Sequence, residues 1–299
     1  MKHSRLMLIH LNSHCLFNLN LTLCCGQAFR WNESDGWWHG VVQKNLIKIR
    51  QDKNTLLFEG AGEDFLLNYL GLNDNLQKIY RDINKDRYIE ATMNEFKGLR
   101  ILRQDPWECL ISYICATFKN ISSIKRMLNH LSKRFGEEHT VRNERFFAFP
   151  SPTKLARASL IELRECELGY RAKYLSQTSK KIAEKDFDLD SLKKASHDEA
   201  KKLLLELPGV GQKVADCILL FGFGKLDAFP VDVWVTRALL RHYSSHFPSN
   251  FITKIARKDS LNNSQYKQLN VFGREYFGKY AGYAQEYLYH YERIGLKQR

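Results

Sequence analysis

The chain has 299 residues, 44% of them hydrophobic and 26% charged, with 17 glycines and 6 prolines. That excludes a disordered, collagen-like or proline-rich protein and leaves room for one large domain or two modest ones. Lysine and arginine number 46 against 33 acidic residues, a net charge of +13, which points to a polyanionic partner, nucleic acid before an anionic membrane surface.

Residues 1–5 begin like a signal peptide, but His10, Asn12, Ser13 and His14 interrupt any apolar segment, so secretion is not expected. Residues 16–23 alternate Asn18, Asn20 and Thr22 with Leu19, Leu21 and Leu23, a period of two that predicts a strand. Asp35-Gly36 predicts a hairpin turn between 29–31 and 37–42. Segments 46–50 and 55–59 flank a polar Asp52-Lys53-Asn54 turn. Together these predict an antiparallel meander. Beyond Gly62 the apolar period becomes helical, with Phe65, Leu66, Tyr69 and Leu70 on one stripe. Further helices are predicted at 88–96, 107–118, 122–134, 152–158, 160–165, 172–184, 189–195, 197–206, 212–221, 233–242, 264–277 and 281–293. Asp105 and Pro106 supply the cap and first residue of the second of these. The expected fold class is α+β: a small antiparallel β-rich N-terminal domain (1–95) followed by a mostly helical core (96–299).

The longest apolar run, 217–223, is far short of the roughly 20 residues that cross a bilayer, so no membrane partner is expected. The seven cysteines are odd in number and show no C-x-x-C spacing. Reduced thiols in an intracellular protein are expected, in cytoplasm or nucleoid of a prokaryote or nucleus of a eukaryote. No cysteine follows Cys217, which removes a C-terminal iron–sulfur cluster.

The most informative segment is Leu207-Pro208-Gly209-Val210-Gly211-Gln212-Lys213-Val214-Ala215-Asp216-Cys217. A glycine-rich turn joins two helices there, a helix-hairpin-helix over 197–221. Gly209 and Gly211 permit positive φ and close approach of another backbone. The free N–H groups at the second helix start favour an anion such as phosphate. A tight corner between helices would use the same glycines. Lys213 stands in the first turn, where a cation opposes the macrodipole. It is either a phosphate-contacting lysine or an amine nucleophile able to form a Schiff base. Asp232, in a segment over 229–242, reads as the N-cap of a helix. A capping carboxylate can also face a nearby amine and handle its proton.

With these residues in view, the chain resembles the helix-hairpin-helix-Gly/Pro-Asp superfamily of base-excision repair glycosylases. Within it, the chain is most similar to the three-domain 8-oxoguanine DNA glycosylases. The likeness runs in order through Cys25-Gly26-Gln27-Ala28-Phe29-Arg30-Trp31, Leu102-Arg103-Gln104-Asp105-Pro106-Trp107-Glu108-Cys109-Leu110, Leu168-Gly169-Tyr170-Arg171-Ala172-Lys173-Tyr174 and Tyr280-Ala281-Gly282-Tyr283-Ala284-Gln285. The resemblance implies Lys213 as Schiff-base nucleophile and Asp232 as its catalytic aspartate. It implies Gly26 as acceptor for the N7–H of the oxidised base, Gln285 on the Watson–Crick edge, and Cys217 with Tyr289 sandwiching the base. Tyr170 and Arg171 would wedge the duplex and reach the orphaned partner, and Gly209 and Gly211 would grip the backbone. No prosthetic group is implied. A main-chain ion site at Leu205, Leu207 and Val210 is. The implied partner is double-stranded DNA containing 8-oxoguanine, bound by a monomer.

The sequence departs from the family after Cys115, where Ala116-Thr117-Phe118-Lys119-Asn120-Ile121-Ser122-Ser123 replaces consecutive asparagines and an arginine. Phe118 takes the place of the asparagine that fills the hole left by the flipped base. Lys119 and Asn120 lie beside it on the DNA-facing stretch. Ser123 stands where the arginine reads the opposite base, and Trp234 where a phosphate-contacting histidine is usual. Two rival readings are an alkylated-base glycosylase, which typically acts through water, and a non-enzymatic hairpin module that only grips phosphate.

Overall fold

The computed structural model describes residues 5–12, 15–141, 144–256 and 260–295. Several residues of the secretion argument (1–4, 13 and 14) lie outside them. An N-terminal sheet has the order β1-β5-β4-β3-β2, all antiparallel: β1 Met7–His10, β2 Trp31–Ser34, β3 Trp37–Val42, β4 Asn45–Asp52 and β5 Thr55–Glu59. The Asp35-Gly36 hairpin and the Asp52–Asn54 turn fall where the sequence predicts them. The register sets Trp31 opposite Gly40. A Cβ on Gly40 would stand 2.4 Å from the Trp31 ring, so only glycine leaves room for that buried indole. The indole N–H donates to the Tyr69 hydroxyl at 2.7 Å.

One expectation is corrected. Residues 16–23 are not a strand but carry helix α1, Leu19–Cys24. Asn18 accepts from the Leu21 N–H at 3.0 Å and caps it. Leu19, Thr22 and Leu23 turn inward at helical spacing, so burial follows the i, i+3, i+4 pattern and overrides the leucine alternation. The missing strand is β1, which the polar residues around it concealed.

Helices follow: α2 Glu63–Tyr69, α3 Leu76–Ile83, α4 Arg87–Glu95, α5 Pro106–Cys115 and α6 Ile121–Phe135. A small hairpin, β6 Glu138–Val141 with β7 Glu144–Phe147, comes next. Then come α7 Pro152–Arg157, α8 Leu160–Leu163, α9 Arg171–Ala183, α10 His197–Leu204, α11 Gln212–Cys217, α12 Val233–His242, α13 Ser249–Ala256, α14 Asn263–Phe277 and α15 Ala281–Gly295. Asp105 caps α5 through the Glu108 N–H at 2.9 Å, with Pro106 as first residue. Among the described residues, no helix is long and apolar enough to cross a membrane, and all seven cysteines are free thiols.

Two apolar cores form. One lies under the sheet, built on Trp31, Ile47, Ile49, Leu56, Phe58 and Leu66. The other fills the helical body. Ile79, Ile83, Ile89 and Met93 of α3 and α4 belong to the helical core, because α3 and α4 pack on α15. Buried Gln27 ties the cores together. Its amide donates to the carbonyls of Thr22 and Arg100 and accepts from the Leu102 N–H. Its own carbonyl accepts from Gln104 and from the Tyr113 hydroxyl. The turn beginning at Cys25 is thereby clamped against the helical body, which positions Gly26.

Candidate active site

The hairpin between α10 and α11 forms as its glycines require. Gly209 has φ +84°, and a Cβ there would stand 2.8 Å from Tyr174 Cβ. Thr178 Oγ1 donates to the Pro208 carbonyl at 2.9 Å, and the Val210 N–H to the Leu207 carbonyl at 3.1 Å. Gly211 is the extended N-cap of α11, exposed, with open space where a Cβ would be. The first N–H groups of α11 thus face an unobstructed surface, the arrangement that attracts a phosphate.

Lys213 is the second residue of α11 and is half-buried. Its Nζ lies 5.1 Å from the centre of the Tyr113 ring. Cys217, one turn on, is buried and lies within the electrostatic reach of Lys213. Burial pushes its thiol up to about 12, against the pull of Lys213. The cysteine therefore stays a neutral, polarisable surface rather than a thiolate.

Asp232 caps α12, accepting from the Trp234 and Val235 N–H groups at 2.9 and 2.8 Å. Burial raises its carboxyl above the usual carboxylate range, while the Val235 N–H, Lys213 and the Trp234 N–H draw it back. The cap and the partner of the lysine are therefore one group. Burial, two N–H donors and the lysine act on it together.

The spacing between α11 and the Asp232 segment is held from behind by Asp216, which is fully buried. It accepts from His197 Nε2 at 3.0 Å, Lys201 Nζ at 2.7 Å, the Tyr266 hydroxyl at 2.6 Å and Asn270 Nδ2 at 3.1 Å. Asn270 Nδ2 also donates to the Phe229 carbonyl at 2.7 Å, and the Val231 N–H donates to the Tyr266 hydroxyl at 3.3 Å. The same two side chains on α14 thus hold both the lysine helix and the strand-like run into Asp232.

Helix α15 packs against α12. Gly26 has φ +107°, and a Cβ there would sit 3.0 Å from the Tyr289 hydroxyl, so the glycine lies directly against Tyr289. Gln285 is buried, with Oε1 lacking a protein partner. Asp232 is acted on by Lys213 and in turn bears on Tyr289, so Lys213, Cys217, Asp232, Gly26 and Tyr289 share one neighbourhood.

The expected DNA-facing residues divide. Phe118 has φ +53° and is 81% exposed, and Tyr170 is 56% exposed. These are two aromatics displayed to solvent on adjacent loops. Arg171 joins those loops by donating to the Thr117 carbonyl, but it is itself buried and lies over the Tyr170 ring at 4.5 Å. In this conformation it braces the loops. Lys119 is exposed. Asn120 caps α6, accepting from Ser123 N–H at 2.8 Å.

Tyr113, Asp216 and Glu286 escaped the sequence reading. Asp216 carried one faint signal: it is a single acidic residue between Val214-Ala215 and Cys217-Ile218-Leu219-Leu220.

The fold and site define a helix-hairpin-helix glycosylase with a β-rich N-terminal extension. The model for the 8-oxoguanine DNA glycosylase N-terminal domain matches residues 9–110, and that for HhH-GPD superfamily base excision DNA repair proteins matches 111–258. The chain belongs to the HhH-GPD superfamily of base excision DNA repair proteins, in the branch that carries the 8-oxoguanine DNA glycosylase N-terminal domain. It is 35% identical to a probable N-glycosylase/DNA lyase of Methanothermobacter thermautotrophicus, over 72% of this chain and 70% of that protein. It is 31% identical to the N-glycosylase/DNA lyase of Saccharomyces cerevisiae, over 92% of this chain and 82% of that one. Among solved structures it resembles the Clostridium acetobutylicum 8-oxoguanine glycosylase/lyase bound to double-stranded DNA with cytosine opposite 8-oxoguanine. That match has a TM-score of 0.85 at 30% identity and covers 97% of this chain and 98% of that one.

Proposed function

We propose that the protein is a bifunctional DNA glycosylase and abasic-site lyase that removes 8-oxoguanine from double-stranded DNA in base excision repair. The observation that supports this reading is the pairing of Lys213 with the buried, helix-capping Asp232, on which it acts electrostatically, with Gly26 against Tyr289 nearby.

Chemistry on a base requires its extrusion from the stack, at a cost of a few kcal/mol. The +13 charge and the N–H groups after Gly211 hold the distorted backbone. Phe118 and Tyr170 enter the duplex on either side of the vacated position. In the pocket, the Gly26 carbonyl accepts the N7–H that distinguishes the oxidised purine. Gln285 reads the Watson–Crick edge, and Cys217 and Tyr289 stack on the two faces.

The Lys213 amine then attacks C1′. The new C–N bond forms as the glycosidic bond breaks, and the base leaves with the bonding pair. Asp232 stabilises the positive charge developing at the sugar and carries the proton that the amine sheds. Opening of the sugar ring gives an iminium. Loss of a C2′ proton expels the 3′ phosphate by β-elimination, and hydrolysis frees Lys213. A monovalent or divalent ion at the hairpin would be held by the carbonyls of Leu205, Leu207 and Val210, and Leu207 keeps a second lone pair beyond its bond to Val210.

The test is incubation with a duplex containing one 8-oxoguanine, with and without borohydride. Release of the base with strand nicking and a covalent adduct is expected. Release without an adduct would favour the water-using alkylated-base type, and neither would favour a binding module.

A further inference from the structure

Two of the groups that would meet the base come from opposite ends of the chain: Gly26 follows α1, and Tyr289 stands on α15. One side chain reaches both. Arg293 lies one turn beyond Tyr289 on the same helix face, and its guanidinium carbon is 5.3 Å from the centre of the Tyr289 ring. Its Nη2 donates to the Cys24 carbonyl at 3.3 Å, across 269 positions of sequence. A Cβ on Gly26 would stand 3.6 Å from Arg293 Nη1, 3.1 Å from Ile121 Cδ1 and 3.0 Å from the Tyr289 hydroxyl. The guanidinium therefore fills the corner between the turn and the ring.

We propose that Arg293 is a positioning residue for base recognition, holding the Gly26 turn and the Tyr289 ring at a fixed separation. This rests on reading the site as one for 8-oxoguanine.

The bonding around the guanidinium shows why an arginine stands there. Nη2 also meets His290 Nδ1 at 3.0 Å. An arginine only donates, so Nδ1 accepts and the imidazole is neutral, with its proton on Nε2. The two N–H groups of Nη2 are thus both used, one on the turn and one on α15. His290 is buried, and its ring meets Phe96 edge to face at 4.4 Å, so the imidazole is a fixed anchor. The same cation rests against the Tyr289 ring and attracts its face. A lysine would bring the charge but not the planar fork. A single ammonium on a flexible stem does not hold two acceptors and a ring in one geometry.

The experiment compares wild type, Arg293→Met and Arg293→Lys in two single-turnover reactions. One is release of 8-oxoguanine, and the other is β-elimination at a preformed abasic site in the same duplex. Displacing a recognition group by about 1 Å costs up to about a hundredfold. Arg293→Met keeps the apolar stem and loses the fork, so it should lose about ten- to a hundredfold in base release. It should keep elimination, which needs Lys213 but no base. Arg293→Lys should remain about tenfold or more below wild type in release, and it decides the matter alone if the methionine variant does not fold. Parallel loss of both reactions, full release by Arg293→Met, or full rescue by Arg293→Lys overturns the proposal. If wild type eliminates at abasic sites but leaves 8-oxoguanine in place, the substrate assignment fails, and this role with it. If wild type and both variants release the base equally well, only this role fails.

Discussion

The Nζ of Lys213 lies 5.1 Å from the centre of the Tyr113 ring, and that ring is itself fixed. It stacks on Phe221 at 5.5 Å, and its hydroxyl donates to the Gln27 carbonyl at 3.1 Å. The amine therefore rests on a platform tied to the turn that presents Gly26. A cation over an aromatic face gains roughly 0.5–2 kcal/mol, enough to orient the side chain without burying it. Tyr113→Leu should lower base release about tenfold or less and leave folding intact. Single-turnover rates alongside a thermal melt check this.

Asp232→Asn separates the two roles of that carboxylate. Asparagine caps a helix nearly as well, so stability should change by less than about 1 kcal/mol. The lost charge should slow base release by about 100- to 1,000-fold. A variant that melts much earlier yet is fully active when folded would mark Asp232 as structural only.

Asp216 makes a stability prediction. It is fully buried and accepts from four side chains. Asp216→Ala strands Lys201 and empties the joint between α11 and α14, which should cost about 3–5 kcal/mol. Urea titration measures it. A loss below about 1 kcal/mol would show that the network contributes little.

Glu286 gives a pH dependence of stability. Its folded-state value is raised from 4.5 to about 7, so the folded protein binds the extra proton between those values. The stabilising contribution is complete below about pH 4.5 and is lost as pH rises through about 7. At about 1.4 kcal/mol per pH unit the full effect is on the order of 3 kcal/mol. Glu286→Gln should therefore gain stability relative to wild type by about that amount between acid and mildly alkaline solution. A difference that is flat with pH would contradict the assignment.

Opposite-base preference should be weak. Ser123 sits at the start of α6 with its N–H given to Asn120, and a serine offers one hydroxyl where a guanidinium offers a fork of donors. A good bidentate contact is worth about 1–3 kcal/mol of discrimination. Arg171, the other candidate reader, is buried against Thr117. Excision from four duplexes differing only in the opposite base tests this. A preference for cytosine over adenine above about a hundredfold would show that another residue reads the partner.

Much of this was legible in the sequence. Glycines at 209 and 211, Lys213 and the Asp232 cap sit where local rules alone put them, because turns and caps are short-range devices. The 16–23 segment misled because alternation of leucine and asparagine fits a strand equally well, and only the cap at Asn18 and burial in three dimensions decide for a helix. Helices α3 and α13 and the β6–β7 hairpin went unread. Asp216 went unassigned for a different reason: its partners lie on other elements, 15 to 54 positions away.

The central claim is that Lys213 is the nucleophile. The direct measurement is borohydride trapping on a duplex containing 8-oxoguanine, followed by peptide mapping of the adduct, with Lys213→Gln in parallel. The account predicts a covalent adduct on Lys213 in wild type, and neither adduct nor base release in the variant despite near-normal DNA binding. Normal base release by Lys213→Gln, or an adduct on another residue, would contradict it.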